Sequence, residues 1–147
     1  MPLTKTEICD LLPHTGSMCL LDGVQRWDEN EIVCVAESHR DLLNPLRRAG
    51  VLPAVSGVEY AAQAMGVHGG LVSRLSESKP SVGYLASLRD VALRVTRLDD
   101  VAGPLLVRAR RVADTVGSVM CDFELSTDGN TLVSGRATLL MIVGART

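Results

Sequence analysis

A chain of 147 residues, 46% hydrophobic and 22% charged, is long enough to bury one core without staples and too apolar to stay disordered. Its net charge of −2 lacks the basic excess by which nucleic-acid binders neutralise phosphate, and one Phe, one Trp and two Tyr are too few for base-stacking platforms. No apolar run reaches the ~18 residues that span a bilayer, and Lys5, Glu7 and Asp10 interrupt any signal-peptide core, so a cytoplasmic protein with neither nucleic-acid nor membrane partners is expected.

In chain order, Thr4 or Thr6 is placed to cap a short helix through Ile8, Leu11 and Leu12 that Pro13 stops. Residues 18–27 and 31–37 read as strands. In the second, Ile32, Cys34 and Ala36 alternate with Val33 and Val35, and Asp28-Glu29-Asn30 supplies the turn of a hairpin. Residues 38–52, holding Asn44-Pro45, Arg47-Arg48 and Gly50, are irregular and lead into the one long helix, residues 53–75.

Ser56 with Glu59 three residues on reads as a capping box at the start of that helix. Val58, Ala61, Ala62, Met65, Gly69 and Val72 recur at three- and four-residue spacing and form a stripe expected to be buried. Gly66, Gly69 and Gly70 each cost about 1 kcal/mol of helix propensity, which implies a close neighbour, expected to be a sheet wrapped around the helix. Glu59 and Gln63 lie one turn apart on the polar side and are therefore adjacent, the first candidates for chemistry.

Beyond a polar loop at 76–80 the pattern has period two: strands are expected at 82–96, 105–113, 119–125 and 132–143. Asp99-Asp100 with Gly103, Asp114 with Gly117, and Asp128-Gly129-Asn130 mark the turns. Val91, Leu93 and Val95, then Val107 and Ala109, then Val119, Cys121 and Phe123 are the expected inward residues. With no repeat or linker, residues 1–147 form a single α+β domain. In it a six-stranded antiparallel sheet curls round one helix, its edges inviting a dimer. Cys9, Cys19, Cys34 and Cys121 show no CxxC pair and no ligand spacing with the three histidines, so they read as reduced, mostly buried thiols. With no phosphate-binding glycine motif either, no metal and no cofactor are expected.

Three motifs together resemble one family. Leu12-Pro13-His14-Thr15-Gly16-Ser17-Met18-Cys19-Leu20-Leu21-Asp22-Gly23-Val24 is similar to the opening of the 3-hydroxyacyl-acyl-carrier-protein dehydratases of the FabZ/FabA hotdog family. Glu59-Tyr60-Ala61-Ala62-Gln63-Ala64 resembles the Glu-x-x-Ala-Gln run of its central helix, and Gly83-Tyr84-Leu85 with Arg89-Asp90-Val91 the start of its third strand. The family's His-Phe-Pro segment before the helix has no counterpart here. That shortened loop and Val67-His68-Gly69-Gly70 resemble the divergent ApeP-like proteins of aryl-polyene clusters.

The resemblance implies a hotdog fold whose sites lie at a dimer interface, the helix carboxylate of one subunit working with a histidine of the other. It implies elimination of water from a 3-hydroxyacyl thioester on acyl carrier protein, in fatty acid or aryl polyene synthesis, by a homodimer or a mixed dimer with another dehydratase. The alternatives are an acyl-binding partner subunit without turnover and a hotdog thioesterase. Glu59 is then the acid, against its reading as a mere cap, and Gln63 its neighbour in binding substrate. Backbone N–H groups near Gly57 would meet the thioester carbonyl. His39 is either a displaced base or a solvated loop histidine. His68, about 180° round the helix from Glu59, reads as packing, and His14 as orienting the opening turn. Arg40, Arg47 and Arg48 either attract an acidic carrier protein or form an ordinary solvated loop.

Overall fold

The long apolar stretch folds as the helix α2 (Gly57–Leu75), and the period-two stretches fold as strands of one antiparallel sheet. A computed structural model describes residues 3–12, 18–75 and 81–143. Along the chain run β1 (Leu3–Thr4), α1 (Lys5–Cys9), β2 (Gly23–Trp27), β3 (Glu31–Ala36), α2, β4 (Ser81–Leu93), β5 (Leu105–Thr115), β6 (Ser118–Thr127) and β7 (Asn130–Val143). Short 3-10 turns stand at Ser38–Arg40 and Ala54–Ser56. In space the strands run β1-β2-β3-β5-β6-β7-β4. The described residues thus hold seven strands where six were expected, the addition being β1, which pairs Leu3 with Val24. His14 and the expected loop at 76–80 lie outside the described residues.

The turns close as their residue types dictate. Asp28 Oδ1 accepts the N–H groups of Asn30 at 2.7 Å and Glu31 at 2.9 Å between β2 and β3. Asp128 (φ 48°) and Gly129 (φ 80°) take the left-handed conformations that a tight turn between twisted strands requires. The expected strand at 18–27 begins only at Gly23, because the Met18 carbonyl and the Leu20 N–H are bonded to Gln63 of α2 instead.

The helix buries Gly57, Tyr60, Ala61, Ala64, His68 and Leu71, an uninterrupted series of i, i+3 and i+4 steps. This face is turned partly from the expected stripe, of which Ala61 and Met65 are buried but Val58, Ala62, Gly69 and Val72 only half-buried. Counting apolar residues alone missed that Tyr60, Gln63 and His68 can be buried when they are hydrogen-bonded. The close neighbours also differ along the helix. A Cβ on Gly57 would sit 3.2 Å from Leu125 and Val133, both on the sheet, but one on Gly66 or Gly70 would meet Leu12 or Leu11 at 3.2 and 3.1 Å. The glycines therefore admit the sheet at the start of α2 and the chain after α1 further along.

A capping box is present at α1, where Thr4 and Glu7 bond reciprocally. At α2 the extended residue is Pro53, and Ser56 already lies inside the 3-10 turn that leads into the helix.

Val107 and Ala109 on β5 and Val119, Cys121 and Phe123 on β6 face the core as expected. The expectation fails on β4, whose residues 84–91 are exposed on both faces. Val91 and Leu93, expected inside, are open to solvent together with Tyr84, Leu85 and Leu88. The reason is position: β4 is the edge of the sheet, paired only with β7. A bulge between Arg89 and Ala92, with Asp90 at φ 55°, bends it further.

Filling the approach between helix and sheet must force them apart. Gly57→Val is expected to destabilise the fold by about 1–3 kcal/mol, read as a lower urea midpoint; an unchanged midpoint contradicts the packing described.

Candidate active site

Glu59 and Gln63 project from the same side of α2, as their one-turn separation requires. Gln63 is 2% exposed. Its Oε1 accepts the N–H of Leu20 at 2.8 Å, and its Nε2 donates to the carbonyl of Met18 at 2.7 Å and to Glu59 Oε2 at 3.0 Å. An amide has two N–H groups to give, and both are spent. Gln63 is therefore turned to protein partners rather than to a substrate, and it fixes one oxygen of the half-buried Glu59.

The same backbone segment continues the network on the other side of the helix. Ser38 Oγ donates to the carbonyl of Leu20 at 2.7 Å, which uses its only proton, so at 2.8 Å the hydroxyl of Tyr60 donates to Ser38. Asn44 Nδ2 in turn donates to the Tyr60 oxygen at 3.1 Å and to the Ser38 carbonyl at 2.9 Å. Burial pushes the Tyr60 phenol above its usual range, so it stays protonated. Nothing in the sequence pattern marked Ser38, Asn44 or Tyr60 as partners; only the position of Tyr60 next to Glu59 hinted at it.

His39, weighed as a base or a solvated loop residue, is fully buried. Its Nε2 lies 3.1 Å from the carbonyl of Val101 and 3.0 Å from that of Gly103, which fixes Nε2 as the protonated nitrogen, and its buried Nδ1 has no partner. The ring clamps the loop before α2 to the loop after β4. His68 is packed as expected, its Nε2 2.6 Å from the carbonyl of Asp28. The N–H of Gly57 is bonded to Ala54 within the 3-10 turn, so it closes the helix start rather than facing outward. Arg47 gives hydrogen bonds to the carbonyls of His39, Asp41 and Gly50, and Arg40 to that of Ala102. Both shape the loop, beside which Leu42 and Leu43 stand 82% and 84% exposed.

A groove of about 430 Å³ on the sheet is lined by Arg108, Arg110, Asp122 and Arg136 and by no residue of α2. Two of its arginines are paired, Arg136 with Asp122 at 2.7 Å and Arg108 with Glu31 at 2.8 Å. No cluster of His, Cys, Asp and Glu suited to a metal occurs among the described residues, and no helix there is long and apolar enough to cross a membrane. What the geometry offers is one oriented carboxyl group beside a helix start. The cysteines depart from expectation: Cys9 and Cys19 form a disulfide, and Cys34 and Cys121 alone are free.

The family model described as ApeP-like, ApeP dehydratase, matches residues 6–142. No curated protein matches the chain in sequence. Among solved structures, the dehydratase heterocomplex ApeI:P from Xenorhabdus doucetiae is similar, at 26% identity and a TM-score of 0.83, over 93% of this chain and 91% of the other. A thioesterase from Haemophilus influenzae is similar at 18% identity and a TM-score of 0.69, over 98% and 94%. A hypothetical thioesterase with coenzyme A from Streptococcus pneumoniae is similar at 11% and 0.59, over 82% and 84%. The last two likenesses show the fold alone.

Burial lowers the pKa of both His39 and His68 below the ordinary imidazole value of 6.5. Below that pH the unfolded chain binds protons that the folded chain refuses, so stability is complete above about pH 6.5 and falls as pH drops beneath it. Asp28 and Glu31, held low by hydrogen bonds from backbone N–H groups and from Arg26 and Arg108 respectively, add their loss only below about pH 4. The urea midpoint is expected to be level from about pH 8 to 7 and to decline between about 6.5 and 5, with part of that slope removed by His68→Asn. A midpoint level down to about pH 5 rules the assignment out.

Proposed function

The chain belongs to the ApeP-like dehydratase family, and from that premise we propose that it removes water from 3-hydroxyacyl thioesters of acyl carrier protein while paired with a second dehydratase subunit. The observation that carries this reading is Glu59, whose carboxyl group is aimed by a fully bonded Gln63. In the elimination a base takes the proton next to the thioester carbonyl, an acid protonates the departing hydroxyl, and a 2-enoyl thioester and water result. Glu59 supplies the acid. The start of α2 stabilises charge developing on the carbonyl oxygen through its dipole, since the Gly57 N–H is already spent.

The base is supplied by the partner subunit. His39 has a basic Nδ1, but the ring is fully buried and that nitrogen is enclosed, so a substrate would have to enter the interior to reach it. A second subunit is supported by β4, an edge strand of 13 residues with apolar side chains open on both faces. The likeness to a dehydratase heterocomplex supports a partner of dehydratase type. Carrier protein docks on the loop of Arg40, Arg47 and Arg48, where exposed Leu42 and Leu43 add an apolar contact suited to an acidic, amphipathic helix. A cytoplasmic setting stays part of the proposal, with Cys34 and Cys121 as its free thiols and the Cys9–Cys19 pair as the departure from it.

Supplied with its partner and a 3-hydroxyacyl carrier substrate, the chain is expected to support growth of enoyl absorbance. Glu59→Gln should cut the rate by about 10²–10⁴-fold with the complex intact. An undiminished rate makes the chain a partner subunit without turnover, and free thiol released without enoyl product makes it a thioesterase. Val91→Asp on β4 is expected to separate the two subunits on size exclusion and to abolish turnover while the chain stays folded by circular dichroism. A complex that survives that charge places the interface elsewhere.

A further inference from the structure

Three ties converge on the short segment that holds Gln63. Cys19 is bonded to Cys9 by a disulfide across a sequence separation of 10. Lys5 Nζ donates to the carbonyls of Cys19 at 2.9 Å and Leu21 at 3.0 Å. Gln63 itself bonds the carbonyl of Met18 and the N–H of Leu20, the two residues that flank Cys19. Cys9 ends α1, and the residues that follow it, Leu11 and Leu12, are seated on Gly70 and Gly66 of α2. The disulfide therefore joins an element docked on the helix to the backbone that fixes the Gln63 amide, and through it Glu59.

From this placement we propose that the Cys9–Cys19 disulfide is a positioning element for Glu59, holding the carboxyl group in its reacting orientation when closed and releasing it when reduced. The proposal rests on the reading of Glu59 as the reacting acid. Opening the clip breaks the S–S bond. A dithiol reductant supplies two electrons and two protons, becomes a disulfide itself, and leaves Cys9 and Cys19 as thiols. Cys9 is only half-buried, so a reductant has a way in. The other two cysteines are set apart from such exchange, because burial raises the Cys34 thiol to about 12 and the Cys121 thiol to about 11. Nor is the chain so small that it needs a staple to fold.

The test uses the full chain in complex with its partner subunit, oxidised, treated with dithiothreitol, and as the Cys9→Ser/Cys19→Ser variant. Alkylation of the denatured chain followed by mass measurement is expected to find Cys34 and Cys121 alone reactive in the oxidised form and all four cysteines reactive after reduction. Hydrogen exchange at the Leu20 amide should quicken by about tenfold or more on reduction, with the amides of β5 and β6 unmoved. Turnover should fall in kcat by about tenfold to hundredfold while KM for the acyl carrier stays within about twofold, and the double variant should match the reduced protein and ignore reductant.

Four reactive cysteines under every oxidising condition overturn the proposal. So does unchanged exchange at Leu20, and so does quickened exchange with kcat unaltered, since the clip then serves stability alone. Silence in every redox state counts against the dehydratase reading instead, and the Leu20 amide, which reports without turnover, still decides whether the clip holds the segment.

Discussion

A side-chain amide shut away from water has to find protein partners for both N–H groups and its carbonyl, and the site depends on how Gln63 meets that demand. Each bond left unmade in such a place costs about 1–3 kcal/mol, so the amide cannot turn without losing more than one contact. Its three partners belong to the segment before β2 and to Glu59. Helix, segment and carboxyl group are thereby fixed as one unit. The orientation of Glu59 is set by an interior constraint, although the group itself is only half-buried.

Leu20 shows how far that constraint extends. Its N–H is given to Gln63, and its carbonyl receives the hydroxyl of Ser38, behind which stand Tyr60 and Asn44. Tyr60 follows Glu59 directly in the chain, so it points about 100° away round the helix and reaches the same backbone from the core side. The loop before α2 is tied down independently, by His39 and Arg40 to the loop after β4 and by Arg47 to its own carbonyls. Polar residues here replace the bulk that a chain with one Phe and one Trp does not have.

Much of the fold was legible because its signals are local. Alternation in β5 and β6, the Asp-Gly turn before β7 and the single long helical stretch each follow from nearest-neighbour chemistry, and so does the adjacency of Glu59 and Gln63. What was not legible depends on partners distant in sequence. The buried face of α2 was misjudged because Tyr60, Gln63 and His68 are polar and count as buried only once their acceptors at 38, 18 and 28 are known. The glycines announced a close neighbour without saying that at Gly66 and Gly70 it would be the chain after α1 rather than the sheet. A spacing of ten residues gives no sign of pairing between Cys9 and Cys19. Period-two alternation in β4 signals an inner face, but not whether this chain or another supplies the cover.

That last strand bears on how much of the protein a cell can keep. A single copy carries an edge with apolar residues open on both sides and backbone groups unmatched along one margin, the feature on which misassociation and quality-control proteases act. If a second subunit covers β4 as proposed, copies left without it keep that edge open, and the amount of folded chain a cell holds then follows the supply of its partner.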